Sequence, residues 1–232
     1  MAAPPAGTDR PRDAATVVLT RQDRGQPEVL MGQRGASAVF MPSKYVFPGG
    51  AVDAVDAVAP LADPLDPTSA RRLMIDSTGV SATALAAAAV RELWEETGLA
   101  FGVPGPPPPD PRPPAPWAAF AAKGLRPTAA GLRFVFRAIT PRGPARRFDA
   151  RFFLADATGV AVDLDDFSAA EDELSHLHWV PLRRARALDL PFITEIVLAE
   201  VEAHLEGIAR DIVAGVPFFD NSGPDPRFRR LE

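Results

Sequence analysis

The chain has 232 residues, 47% of them hydrophobic and 24% charged, an ordinary globular composition with enough length for one substantial core. A formal net charge of −5 offers no chain-wide attraction for a nucleic-acid backbone, so polymeric DNA or RNA is not expected as a partner. Cysteine is absent, which excludes disulfides, thiolate nucleophiles and sulfur-ligated zinc, fits a reducing compartment, and leaves oxygen and imidazole as the available metal ligands.

In chain order, residues 1–13 read as a disordered Pro/Ala/Arg leader without an apolar signal core, followed by a single domain over 14–232. No stretch is apolar for long enough to cross a bilayer, so a cytoplasmic protein with no membrane partner is expected. The β-branched run Ala14 to Thr20 and the segment Val29 to Gln33, joined by the polar turn Arg21 to Pro27, predict a hairpin. A short strand at Tyr45 to Phe47 should end at Pro48-Gly49-Gly50, where paired glycines permit positive φ, a close backbone approach and a sharp exit from the sheet.

Residues 51–80, broken by Pro60, Pro64 and Pro67, read as an insertion bordering the site, with a short helix at Ser69 to Asp76. Ser81 is placed to cap a helix over Ala82 to Thr97 that Gly98 stops. A strand at Leu99 to Val103 runs into a Pro-rich surface loop at 104–116. Strands follow at Leu132 to Thr140, Arg147 to Leu154 and Leu174 to Val180, then an amphipathic helix from Thr194 to about Val213. Its apolar stripe suits either its own domain or a homodimer. Strands on both sides of a long helix predict an α/β (α+β) fold, a mixed sheet with helices on its faces.

The helix over 82–97 carries the chemistry. Glu92, Glu95 and Glu96 stand at i, i+3 and i+4, within an arc of about 100° at 3.6 residues per turn, beside an apolar face that includes Val90 and Leu93. Like charges at this spacing repel, and the helix C-terminus also disfavours anions. A hard divalent cation converts that repulsion into binding, whereas a solvated acidic face with Arg91 paired to Glu95 is the bland alternative.

Together with Phe47-Pro48-Gly49-Gly50, the run Arg91-Glu92-Leu93-Trp94-Glu95-Glu96-Thr97-Gly98-Leu99 resembles the Nudix box, Gly-x5-Glu-x7-Arg-Glu-U-x-Glu-Glu-x-Gly-U with U aliphatic. The second half matches at every specified position. The first is interrupted: Gly50 and Arg91 are 41 positions apart where the pattern has fourteen, leaving 27 extra residues. Counted back from Arg91, the first acid of the pattern falls on Thr83 and is missing. Asp53 and Asp56 are stand-ins, with solvated loop acids as the plainer reading.

The resemblance implies a Nudix-like mixed sheet between helices and a Mg²⁺-dependent hydrolase, with Mn²⁺ as a substitute ion. The substrate would be a small molecule with a diphosphate linkage, a nucleoside diphosphate derivative such as coenzyme A, a dinucleotide or a nucleotide sugar. The interrupted box is similar to that of coenzyme A diphosphatase-like members. By carry-over, Glu92, Glu95 and Glu96 with the Gly50 carbonyl hold metal, Arg91 fixes the acidic helix, and Glu171-Asp172-Glu173 offers a further acid or general base, Glu173 slightly ahead of Glu171, with a plain acidic turn as the alternative.

Arg34 is a candidate for substrate phosphate, together with Gly49 and Gly50 of the loop. Phe40, Met41, Tyr45 and Phe47 can stack on a base or pack in the core. His176 and His178, two apart on a strand, share a side and could pair on a metal, though no third ligand is near, and His204 needs no special role. A Nudix-fold sensor that binds a nucleotide metabolite without turnover is the alternative to an enzyme.

Overall fold

The computed structural model describes residues 10–38, 40–77, 79–106, 113–144, 146–207 and 215–232. The chain opens with β1 (Arg12–Asp23), which turns into β2 (Gln26–Arg34) through Arg24 and Gly25 at φ 47° and 75°. Two consecutive positive φ values match the right-handed twist of hairpin strands. The turn is therefore tighter than the polar run suggested. Arg12 and Asp13 are strand residues and not leader, because β1 pairs in parallel with β8 (Phe148–Asp156) from Arg12 onward. Residues 1–9 of the expected leader lie outside the described residues.

After β3 (Tyr45–Val46), β4 (Gly49–Ala51) stays in the sheet and pairs with Ala14 to Thr16 of β1, so the glycines do not mark an exit. Neither has positive φ; their role is the close approach described below. A 3₁₀ turn (Ala54–Val58) and α1 (Pro67–Leu73) follow, then α2 (Ala82–Thr97). Ser81 Oγ accepts from the Ala84 N–H at 3.0 Å, and Gly98 at φ 74° ends α2 by donating to the Trp94 carbonyl at 2.8 Å.

The strand expected at Leu99 to Val103 is β5 (Gly102–Pro104), in a separate two-stranded sheet with β6 (Leu125–Pro127). Between them α3 (Trp117–Ala122) follows the Pro-rich stretch, of which 107–112 lie outside the described residues. The large sheet continues through β7 (Arg133–Ile139), β8 and β9 (Leu174–Pro181), close to the predicted bounds. Then come α4 (Leu182–Ala185), α5 (Phe192–Leu205), β10 (Val216–Asp220) and β11 (Arg227–Leu231). The last helix is thus shorter than its pattern suggested, with 208–214 outside the described residues, and the final two strands were not expected.

The sheet order is β11-β10-β7-β8-β1-β2-β3, with β4 also on β1 and β9 also on β2. Parallel β1–β8 and β10–β7 pairs among antiparallel ones make it mixed. On one face Val17, Leu19, Leu30 and Phe153 pack with the alanines, Val90 and Leu93 of α2. On the other, Val18, Val29, Met31 and Phe152 pack with Val197, Leu198 and Val201 of α5. The predicted fold, a mixed sheet between helices, is the observed one; Val197, Leu198 and Val201 of the α5 stripe are buried against the sheet, while Leu205 is exposed. Among the described residues no helix is long and apolar enough to cross a membrane.

Candidate active site

Residues of β4 and α2 meet through glycine. A Cβ on Gly49 would stand 2.6 Å from the Ala15 carbonyl and Thr16 Cα of β1, and one on Gly50 2.5 Å from the Glu92 carboxyl. At Gly49 the backbone of β1 leaves no room for a side chain, and at Gly50 a Cβ fits only if the Glu92 carboxyl moves. There the Gly49 N–H donates to Glu96 Oε2 at 2.7 Å.

Arg91 organises the acids around it. Its Nη1 donates to Glu92 Oε1 and to Glu95 Oε2, both at 2.8 Å. Nε and Nη2 fork onto Asp56 at 2.8 and 3.0 Å, and Nη2 also reaches the Ala51 carbonyl at 2.9 Å. Burial alone would lower the basicity of this guanidinium, but Asp56, Glu92 and Glu95 together hold it above its ordinary value. Arg91 thus ties Glu92 and Glu95 of its own helix to Asp56 and to the Ala51 carbonyl.

Asp56 is one of the two stand-ins weighed for the missing acid. It is fully buried on Arg91 rather than solvated. Counted forward from Gly50 it stands at Gly-x5-Asp, where the box pattern has its first acid. The extra residues therefore fall between Asp56 and Arg91, and Thr83 is simply within α2. Asp53 caps the 3₁₀ turn, its side chain accepting from the Val55 N–H.

One guanidinium does not satisfy four carboxylates. Burial pushes Glu92 up to about 7, with repulsion from Glu95 and Glu173 adding and Arg91 opposing. Burial and the neighbouring Glu92 raise Glu96 well above the usual carboxylate range, and its Oε1 is buried without a hydrogen-bond partner. Glu95 is raised by burial, with Arg91 opposing and Glu171 and Asp56 adding. Buried carboxylates short of positive charge, one with an orphan oxygen, are the donor set that a hard divalent cation suits. Among the described residues no three acid or imidazole groups already converge on one point, since Arg91 draws an oxygen each from Glu92 and Glu95.

Glu92, Gly49 and Gly50 border a cavity of about 610 Å³ that Arg34 and Glu173 also line. Arg34 Nη2 donates to Glu173 Oε1 at 2.9 Å, while its Nε is buried and without a partner. Glu173 is close enough to raise both Glu92 and Glu96, whereas Glu171 bears on Glu95 and its N–H donates to the Glu95 carbonyl. Phe40, Met41 and Phe47 line the cavity too, but Tyr45 packs edge-on to His178 at 5.8 Å. Among the described residues of 51–80, Ala51 alone reaches it, and Asp56 is joined to Arg91.

His176 has φ 50° beside the β2–β9 irregularity, so the alternation that would put it on the same side as His178 fails there. Both are exposed. The aromatic walls Phe148, Phe152, Phe192 and Phe219 come from β8, α5 and β10 and carried no local signal as site residues.

Fold and site together set an acidic helix beside a cavity of about 610 Å³. The NUDIX domain family matches residues 10–200, and the chain belongs to that family and is a Nudix hydrolase. It is similar to the crystal structure of a NUDIX hydrolase from Alicyclobacillus acidocaldarius, with 27% identity, a TM-score of 0.63, and 90% of this chain and 99% of that one covered. The NUDIX domain of Shewanella oneidensis NrtR, crystallised with ADP ribose, shares the fold at 14% identity and a TM-score of 0.50, over 88% of this chain and 94% of that one. No curated protein sequence is matched by the chain.

Proposed function

We propose that the chain hydrolyses the diphosphate linkage of a nucleoside diphosphate derivative, with Mg²⁺, or Mn²⁺ in its place, held by Glu92, Glu95, Glu96 and the Gly50 carbonyl. The observation that carries this reading is the set of undercompensated carboxylates on α2, one of them bordering a cavity shared with Arg34 and Glu173. A bound divalent cation supplies positive charge to the diphosphate oxygens and acidifies water for attack at phosphorus.

The residues of the chain do the rest. Arg34, which lines the cavity, donates to a phosphate oxygen and orients the diphosphate. Glu173, half-exposed at the cavity edge, accepts the proton of the attacking water, and its pairing with Arg34 holds it there. Arg91 holds Glu92 and Glu95 in place through one nitrogen, so that little reorganisation is left for the reaction itself.

Glu95→Gln and Glu96→Gln are each expected to lower Mg²⁺-dependent turnover by ~100-fold or more while leaving the melting curve nearly unchanged. Full activity in both variants would remove the mechanism. A panel of coenzyme A, dinucleotides and nucleotide sugars, with product masses, identifies the substrate.

A further inference from the structure

On the α5 face of the sheet, four alanines stand in register across four strands. Ala51 of β4 pairs with Ala14 of β1, Ala14 with Ala150 of β8, and Ala150 with Ala138 of β7; Phe219 of β10 completes the row. All five line the cavity that Glu92 borders. Paired residues on adjacent strands point to the same face and strands lie ~4.8 Å apart, so the alanines form a methyl floor ~14 Å long, running from the Gly50 end toward Phe219.

Phe148 and Phe152, two positions to either side of Ala150 along β8, rise from the same face as walls, each ~7 Å from the row. Phe192 stands edge-on to Phe219 at the far end, 6.3 Å between ring centroids. Larger side chains anywhere in the row would fill the trough.

Arg12, Thr16, Arg146 and Thr194 also line the cavity, and two further polar groups in its lining are already committed. Thr140 Oγ1 accepts from the Phe148 N–H at 3.0 Å, and Asn221 Nδ2 donates to the Ile139 carbonyl at 3.0 Å. A sugar hydroxyl resting on the methyls themselves would lose water without gaining a hydrogen bond from the floor. A flat aromatic ring loses little and gains contact with the methyl floor and phenyl walls.

We infer that the alanine row seats a nucleobase ring of the substrate, and that Ala14, Ala138 and Ala150 are specificity-determining residues which select a planar ring at that position over a hydroxyl-rich group. The inference rests on the proposed function only in placing the diphosphate at the Glu92 end of the trough.

Calorimetry with the full chain and Mg²⁺ tests it, using two hydrolysis-resistant probes: adenosine 5′-(α,β-methylene)diphosphate and its base-free counterpart, ribose 5-(α,β-methylene)diphosphate. Because neither probe turns over, a failed hydrolase assignment would appear in the turnover panel and leave this comparison intact. The wild type should bind the adenosine probe about tenfold tighter or more, the scale of one base stacked on a protein surface. Ala150→Leu should bring the two within about twofold by weakening the adenosine probe alone. If the melting curve shows that the leucine variant does not fold, Ala150→Val is put through the same comparison and should narrow the gap. Equal affinities in the wild type, or an undiminished adenosine advantage in a folded variant, would overturn the inference.

Discussion

Asp56 and Glu92 are both partners of Arg91, yet their roles differ because their charge balance differs. Asp56 receives a two-pronged ion pair and is fully buried, so its removal leaves a buried cation partly unpaired. Asp56→Ala is expected to destabilise the protein by about 3–5 kcal/mol. Asp53→Ala, which loses only a cap, should cost about 1 kcal/mol, both read from urea denaturation. Glu92 titrates near 7 in the fold against 4.5 ordinarily, so between those values the folded chain binds a proton that the unfolded chain does not. Its contribution therefore destabilises the metal-free fold above pH 7 and is relieved as pH falls toward 4.5. With a chelator present, the wild type should gain stability relative to Glu92→Gln over that fall, and Mg²⁺ affinity should weaken over the same range. A stability difference that does not vary with pH would contradict the assignment.

At the scale of elements, the site depends on how closely β4 can lie between β1 and α2. The two glycines there meet different obstacles, backbone for Gly49 and a carboxyl for Gly50. Gly49→Ala should therefore lower the melting temperature because β1 cannot give way, whereas Gly50→Ala should displace Glu92 and reduce turnover by about tenfold or more with a smaller stability loss. Equal melting temperatures for the two variants would contradict this division. The insertion is anchored separately: Arg137 on β7 forks onto Asp149 of β8 at 2.8 and 2.7 Å and also donates to the Ile75 and Asp76 carbonyls. The end of the 51–80 segment is thereby tied to the face of the sheet opposite the alanine row, consistent with its near absence from the cavity.

Across the whole molecule, what was legible in the sequence was what is locally encoded. The β1–β2 hairpin, the strands β7 to β9, and α2 with Ser81 and Gly98 at its ends follow from alternation and capping within each segment. Arg227 to Leu231 escaped notice because an edge strand with three arginines, an exposed Phe228 and burial confined to Leu231 writes no alternating pattern. Val216 to Asp220 was obscured by Pro217. At the site, the acidic triplet and Gly50 were readable, but Asp56 looked like any loop acid because its partner lies 35 residues away. Counting forward from Gly50 would have found it. The alanine row was invisible, since it exists only through the register of strands far apart in the chain.

The central claim is that water attacks phosphorus under the control of the α2 carboxylates. Its most direct test is turnover of the diphosphate panel in ¹⁸O-enriched water with Mg²⁺, followed by mass analysis of both products. The account predicts one ¹⁸O atom in a phosphate group of one product, with the labelled product lost in Glu96→Gln. Label in a carbon-bound hydroxyl, or no Mg²⁺-dependent turnover of any member of the panel, would contradict it.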